Sequence, residues 1–446
     1  MSMAPAPHAE CFSLTSWLMI TLMMLAPHAP GQALAQQAAT GPRPIKVEVV
    51  ELNDRFMLLR NGKPFEMRAV SGFDELDTAA TAGVNTLRTW STKHLDNGRI
   101  LDEAHARGMG VMVGLWLGHV RDGFDYDDPQ MVKEQYERVT ADILRYKDHP
   151  AVLIWGIGNE ADARGGQPYE AIQQIAEFIK QVDPYHPTAT VLAGSHVDRI
   201  TAVRTRAPSV DILGINTYNS YGNVARHVQQ AGWTGPYLVT EIGNNGTWEQ
   251  PRTTWDVPIE PPSGIKAQLY RERYLDLMAN RRQCLAAFPF KWGYVPKGTS
   301  TWFSLFHANG EPNAVVDQMI QVWTGRWPQD RSPWVTELNI EGQPYDSSIT
   351  LKPGTVVTAE VRYTHADPHT LDSRWQVKPE ATIASGQGSQ AINVIAVDTP
   401  IEVIDPYTIR FTVPSEPGPY RLYFYGYTPT DRLGSANAPF LVASGP

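Results

Sequence analysis

Cysteine is nearly absent from this 446-residue chain, which holds only Cys11 and Cys284. Cys11 lies in an apolar N-terminal stretch that reads as a removable leader. The remaining chain then has one thiol, can form no intramolecular disulfide, and must be held by its core. Cys284, followed by Leu-Ala-Ala-Phe, reads as a small buried residue rather than a reactive thiol. Basic residues are also in deficit: 38 Lys and Arg face 47 Asp and Glu, a net charge of −9. That balance weighs against nucleic acid or an anionic membrane surface as partner. No Gly-rich phosphate loop follows a strand, so no dinucleotide cofactor is expected. There is no His-x-His or His/Asp cluster, so no metal is expected either. The chain has no internal repeat and no long run of like charge. Its longest apolar run, residues 11–25, is short for a bilayer span.

Residues 1–35 have the pattern of an export signal. The apolar run is followed by Ala33-Leu34-Ala35, a small-residue cleavage pattern before Gln36. No Lys or Arg precedes the run, which departs from the usual leader and leaves an uncleaved anchor as the alternative. The expectation is a secreted or periplasmic protein cleaved after Ala35, with no integral membrane span in the mature chain. Thirteen Trp and eighteen Tyr are many. Sugar rings stack on such side chains, although most of these read as core and loop anchors.

A Gln/Ala/Gly/Pro linker occupies residues 36–45, and a short β-hairpin pattern follows over 46–52 and 56–59, with an Asn61-Gly62 turn. From there strand and helix alternate. Candidate strands fall at 66–71, 84–90, 110–117, 152–158, 188–193, 210–216, 237–242 and 286–292. The clearest helical periodicity lies at 96–107, 129–146, 169–182, 265–281 and 314–324. Eight strands, each followed by a helix-length segment, predict a (β/α)₈ TIM barrel over residues 46–330. A doubly wound open sheet is the alternative fold. After a Pro-rich hinge at 325–333 the period changes to two, with runs at 355–364, 391–397, 407–413 and 420–427. Residues 334–446 therefore read as an antiparallel, immunoglobulin-like β-sandwich. The α/β class thus combines a TIM barrel with a C-terminal β-sandwich domain.

Two of these strands end in a carboxylate. Ala151-Val-Leu-Ile-Trp-Gly-Ile-Gly-Asn-Glu160 is a continuous apolar run closed by Asn159 and Glu160, and Pro236-Tyr-Leu-Val-Thr-Glu241 closes in the same way. Barrel sites are built at the C-terminal ends of strands. Reading those ends collects Arg88, Trp90, Trp116, His119, Asn159, Glu160, Asn216, Tyr218, Glu241, Lys291 and Trp292. Cleaving an acetal needs one carboxyl that holds a proton and one that is ionised. Arg88 near Glu241 would keep that carboxylate charged, while Glu160, between Trp and apolar wall, would hold its proton. The long loop after Glu241, with Trp248 and Trp255, is expected to form part of a substrate wall. In the last domain Tyr423, Tyr425 and Tyr427 share one face of a strand. Packing against the barrel or a facing sheet is the stronger reading for them, and polysaccharide stacking the weaker.

Trp155-Gly-Ile-Gly-Asn-Glu160 resembles the acid/base motif of clan A glycoside hydrolases, particularly the family two barrel domain. Lys147-Asp-His-Pro-Ala151, Asp183-Pro-Tyr-His-Pro187, Gly83-Val-Asn-Thr-Leu-Arg88 and Asn216-Thr-Tyr218 are similar to that family too, so the likeness covers about residues 46–325. It implies Glu160 as acid/base and Glu241 as nucleophile, with retention of configuration. It implies Asn159 on the sugar 2-hydroxyl, Tyr218 orienting Glu241, and Trp292 as the platform beneath the sugar. A family two protein carries its barrel after a jelly roll and an immunoglobulin-like domain. Here a hairpin precedes the barrel pattern and the β-rich region follows it. The implied partner is a β-linked oligo- or polysaccharide. The implied activity is hydrolysis, or transglycosylation through the same covalent intermediate. An inverting hydrolase and a non-catalytic polysaccharide-binding protein are the remaining alternatives, and the presence of both carboxylates weighs against the latter.

Overall fold

The computed structural model describes residues 43–280, 282–380 and 394–443. The expected leader at 1–35, and residues 36–42 of the expected linker, lie outside the described residues. Among the described residues no helix is long and apolar enough to cross a membrane.

Eight parallel strands form one sheet in chain order: Ala69–Ser71, Thr86–Arg88, Gly110–Leu115, Val152–Asn159, Thr188–Ala193, Ile212–Asn216, Tyr237–Ile242 and Cys284–Pro289. Ser71 pairs with Phe290, and the Trp292 N–H donates to the Ser71 carbonyl at 2.8 Å, so the sheet closes on itself as a (β/α)₈ barrel. The strands are buried on both faces, which is why they read as unbroken apolar runs. Helices Pro129–Tyr146, Tyr169–Val182, Ser263–Ala279 and Ala314–Thr324 cover the outside, as their periodicity predicts. Shorter helices at Leu76–Thr81, Arg99–Ala106, Val197–Arg206 and Val224–Gln230 complete the ring. The eighth strand ends at Pro289, three residues earlier than its apolar run implies, which leaves Lys291 and Trp292 in the following loop.

The N-terminal hairpin is a three-stranded antiparallel sheet, Val47–Leu52, Arg55–Arg60 and Lys63–Phe65. Its turns place Asn53, Asp54, Asn61 and Gly62 at positive φ, the conformation that tight hairpins demand. It caps the N-terminal end of the barrel. Val47 and Leu58 pack in one cluster with Met112, Leu153, Leu238 and Phe288. The Val47 N–H donates to Tyr185 and the Phe56 N–H to Arg282. His186 lies at this end as well. It is bonded to Asp183 at 2.8 Å, with Trp155 Nε1 donating to the same carboxylate at 2.7 Å, a structural triad remote from the mouth.

The C-terminal domain is a β-sandwich. One sheet orders Gln343–Pro344, Trp334–Ile340, Val356–Thr364, Thr408–Thr412 and Ile401–Val403. The other orders Ile349–Leu351, Leu433–Val442, Gly418–Tyr427 and Asp372–Pro379. All pairs are antiparallel except Ile349–Leu351 beside Leu433–Val442. Of the run expected at 391–397, residues 391–393 lie outside the described residues and 394–397 form no strand.

Gly418–Tyr427 is buried at almost every position because both of its faces are covered. Leu422 and Phe424 face the sandwich core. Tyr425 bonds Ser300 at 2.8 Å and Tyr427 bonds His307 at 3.0 Å, both on the loop after the eighth barrel strand. A buried polar knot joins the two domains beside them. Glu260 accepts from Lys266 Nζ, Thr299 Oγ1, Thr301 Oγ1 and, from the sandwich, Asn437 Nδ2. Arg421 reaches across to the Pro258 carbonyl at 2.8 Å.

Candidate active site

The C-terminal mouth of the barrel gathers Arg88, Trp90, His119, Asn159, Glu160, Asn216, Tyr218 and Glu241 into one hydrogen-bonded set. Consecutive residues of a regular strand point to opposite faces, so Asn159 and Glu160 should not both face the mouth. They do because the register against the fifth strand slips between Ile157 and Asn159. Gly158 sits at φ 74° in that slip, and a Cβ there would meet Leu117 Cδ1 at 3.1 Å. Glu160 follows at φ 54°, left-handed for a residue that pays a steric penalty there. The seventh strand slips against the sixth between Val239 and Glu241. Thr240 then donates to Asn216 Oδ1 at 2.8 Å while Glu241 meets Arg88.

Glu241 is buried and accepts three side-chain hydrogen bonds. Arg88 Nη1 and Trp90 Nε1 donate to Oε1 at 2.9 Å each, and the Tyr218 hydroxyl donates to Oε2 at 2.7 Å. Those donors complement an ionised carboxylate. Burial and the two nearby glutamates push the Tyr218 hydroxyl well above the ordinary phenol range, so it stays a donor. Arg88, 1% exposed, is the hub. Its other amino group donates to Asn159 Oδ1 at 2.6 Å, and Nη1 also reaches the Thr240 carbonyl at 3.1 Å.

Glu160 has a different environment. Asn216 Nδ2 donates to its Oε1 at 2.8 Å, and no cation bonds to it among the described residues. Burial, and next the charge of Glu241, push its carboxyl up to about 7, with the Asn216 bond opposing. The Arg88 guanidinium at this mouth bonds Glu241 and not Glu160.

His119 is 3% exposed, and its Nε2 contacts the Asn159 carbonyl at 2.7 Å. Burial lowers its pKa, so the ring is neutral, with Nε2–H donating and Nδ1 left as a buried lone pair without a protein partner. Trp116 stacks on it at 4.7 Å. Trp248 lies at the rim, 67% exposed and edge-on to Tyr218 at 5.9 Å.

Trp292 is not a platform at this mouth. It is completely buried, packed on Phe306 at 4.9 Å and near Trp323, because the chain leaves the eighth strand early and turns its indole into the shell behind the barrel. The aromatic that faces the site from this loop is half-buried Phe290, 5.9 Å from Trp90 and 6.1 Å from Tyr218. The apolar run at 286–292 gave no signal for it, because the run continues past Pro289, where the strand stops. Thr240, which fixes Asn216, was legible only as the neighbour of Glu241. The loop at residues 121–128, after the third strand, contributes Asp128 as N-cap of Pro129–Tyr146, accepting from the Gln130 N–H at 2.8 Å. Among the described residues no group of three or more His, Cys, Asp or Glu is placed to hold a metal ion.

The mouth of this closed (β/α)₈ barrel thus sets Glu241 on Arg88, Trp90 and Tyr218, and Glu160 on Asn216. Residues 98–253 of this chain match the family model described as "Glycosyl hydrolases family 2, TIM barrel domain". The beta-glucuronidases of Chlorocebus aethiops and Homo sapiens are 24% and 23% identical over 223 residues, 44% of this chain and 32% of theirs. The match thus spans about a third of the length of these curated relatives. A solved structure similar in fold is the putative beta-galactosidase from Bacteroides fragilis. It is 14% identical, with a TM-score of 0.48 over 90% of this chain and 57% of that one.

Proposed function

We propose that the protein is an exported glycoside hydrolase that cleaves β-linked glycosides by double displacement with retention. The observation that carries this reading is the contrast between the two glutamates: Glu241 is held by Arg88, Trp90 and Tyr218, and Glu160 keeps its proton up to about pH 7. Glu241 attacks the anomeric carbon while Glu160 gives its proton to the leaving oxygen. In the second step Glu160, now a carboxylate, takes a proton from water, and water displaces Glu241. Asn159 Oδ1 is occupied by Arg88 and Asn216, which leaves its Nδ2 for a sugar hydroxyl.

The likeness to beta-glucuronidases puts β-glucuronides on the substrate panel beside β-galactosides, β-glucosides and β-mannosides. The test is Glu241→Ala with added azide on an activated aryl β-glycoside. An α-glycosyl azide is the expected product, and full activity of Glu241→Ala without azide would refute the assignment. Export is tested by N-terminal sequencing of the full chain expressed in a bacterium. The expected mature first residue is Gln36, found outside the cytoplasm.

A further inference from the structure

Tyr218 supplies a hydroxyl donor to Glu241, yet it lies outside the barrel strands. The sixth strand ends at Asn216, and the short turn Asn219–Asn223 begins just past Tyr218. Its two neighbours in the chain are the anchored residues. On the strand side the Thr217 N–H donates to the Glu241 carbonyl at 3.0 Å. On the other side the Asn219 N–H donates to Glu249 Oε2 at 3.3 Å. The same Oε2 accepts from the Gly246 N–H at 2.8 Å, and the Glu249 N–H closes a turn onto the Gly246 carbonyl at 2.9 Å. Glu249 thus ties the loop after the sixth strand to the loop after the seventh.

The loop after the seventh strand is itself fixed at that point. Buried Arg273, on the helix Ser263–Ala279, donates to the Gly243 carbonyl and to Asn245 Oδ1 at 2.5 Å each. Trp302 Nε1 donates to the Asn245 carbonyl at 3.0 Å. A connected path therefore runs from the helical shell through Asn245, Gly246 and Glu249 to Asn219, Tyr218 and the Glu241 carboxylate. The Arg273 guanidinium also lies over the Tyr221 ring at 5.2 Å, a second tie between the same two loops. We propose, on the basis of the glycosidase reading above, that Glu249 is a positioning residue for the reaction: it acts through Asn219 to hold the Tyr218 hydroxyl on Glu241. A carboxylate oxygen that accepts from two loops fixes each to the other. Releasing it lets Tyr218 turn away from Glu241 for part of the time, and the attacking carboxylate then loses one of its three donors. The loss falls on the chemical step rather than on substrate binding.

The experiment uses the full chain with 4-nitrophenyl β-D-glucoside, galactoside, mannoside and glucuronide as the donor series, and takes kcat and KM on the donor turned over fastest. Glu249→Ala should lower kcat about 3- to 10-fold with KM changed by less than about twofold, the range expected for one net hydrogen bond. Glu249→Gln keeps an oxygen acceptor and should recover most of that loss. Tyr218→Phe already lacks the hydroxyl, so adding Glu249→Ala to it should cost less than about twofold more. A merely structural role would lower kcat by the same factor in both backgrounds. That equal loss, an unchanged kcat in Glu249→Ala, a rise confined to KM, or a Gln variant as poor as the Ala variant overturns the positioning role alone. Absence of nitrophenol release by the wild type from every donor overturns the glycosidase reading and the positioning role with it.

Discussion

Replacing Glu160 with Gln should make the protein more stable at alkaline pH while disabling it. Burial and the Glu241 charge raise the Glu160 carboxyl from 4.5 to about 7. Between those values the native state binds more protons than the unfolded chain, so stability falls as pH rises. The contribution is complete below about pH 4.5 and is lost by the time pH has risen through about 7. At about 1.36 kcal/mol per pKa unit the full loss is on the order of 3 kcal/mol, most of it between pH 5 and pH 8. A carboxamide has no charge to bury over that range, and its oxygen can still accept from Asn216 Nδ2. Urea unfolding of the wild type and Glu160→Gln at pH 5 and pH 8 measures the effect. The variant should be stabilised relative to the wild type by about 2–3 kcal/mol more at pH 8 than at pH 5. The same proton requires wild-type kcat/KM to fall above about pH 7, and Glu160→Gln should have no such limb. A stability difference independent of pH, or one that shrinks as pH rises, would refute the reasoning about the shielded carboxyl.

Other substitutions probe the remaining parts of the site. Arg88→Met leaves Glu241 buried without its cation and Asn159 without its partner, and should cost about 3–5 kcal/mol in denaturant unfolding. Tyr218→Phe removes one hydrogen bond to a charged acceptor. It should lower kcat roughly 10- to 100-fold with little change in fold by circular dichroism. Gly158→Ala places a Cβ at a left-handed residue against Leu117 and should cost about 1–2 kcal/mol in thermal or urea unfolding, with loss of kcat because Asn159 and Glu160 are re-aimed. Asn437→Ala opens the Glu260 knot between barrel and sandwich and should destabilise by about 1–3 kcal/mol, read as a lower urea midpoint.

Much of the fold was legible because the barrel strands are buried on both faces. Runs such as Val152–Asn159 and Tyr237–Ile242 leave no polar residue until the mouth, and the end of each run marks the site. The helices with strong amphipathic periodicity were legible for the same reason. Val197–Arg206, with only Ile200 and Val203 buried, was not, because it presents too narrow an apolar stripe. In the sandwich Leu433–Val442 escaped notice because its Gly-Ser-Ala-Asn-Ala-Pro composition is small and polar. It is buried by layers on both sides rather than by its own hydrophobicity. The site shows the same division. Residues fixed by strand ends, such as Arg88, Asn159 and Asn216, fall where the pattern places them. The exchange of Trp292 for Phe290 was not visible, since it depends on where the eighth strand stops and which way the next loop turns. The stripe of Tyr423, Tyr425 and Tyr427 pointed to a covered face without naming what covers it, and the loop after the eighth barrel strand does so.

The central claim is that Glu241 carries the sugar. It is tested most directly by incubating the protein with activated 2-deoxy-2-fluoro β-glycosides of the donor series, digesting with protease and mapping the labelled peptide. Time-dependent inactivation and one fluorosugar on Glu241, with no label in Glu241→Gln, are the expected results. Turnover of the parent glycoside without any covalent adduct, or a label on Glu160 or elsewhere, would contradict it.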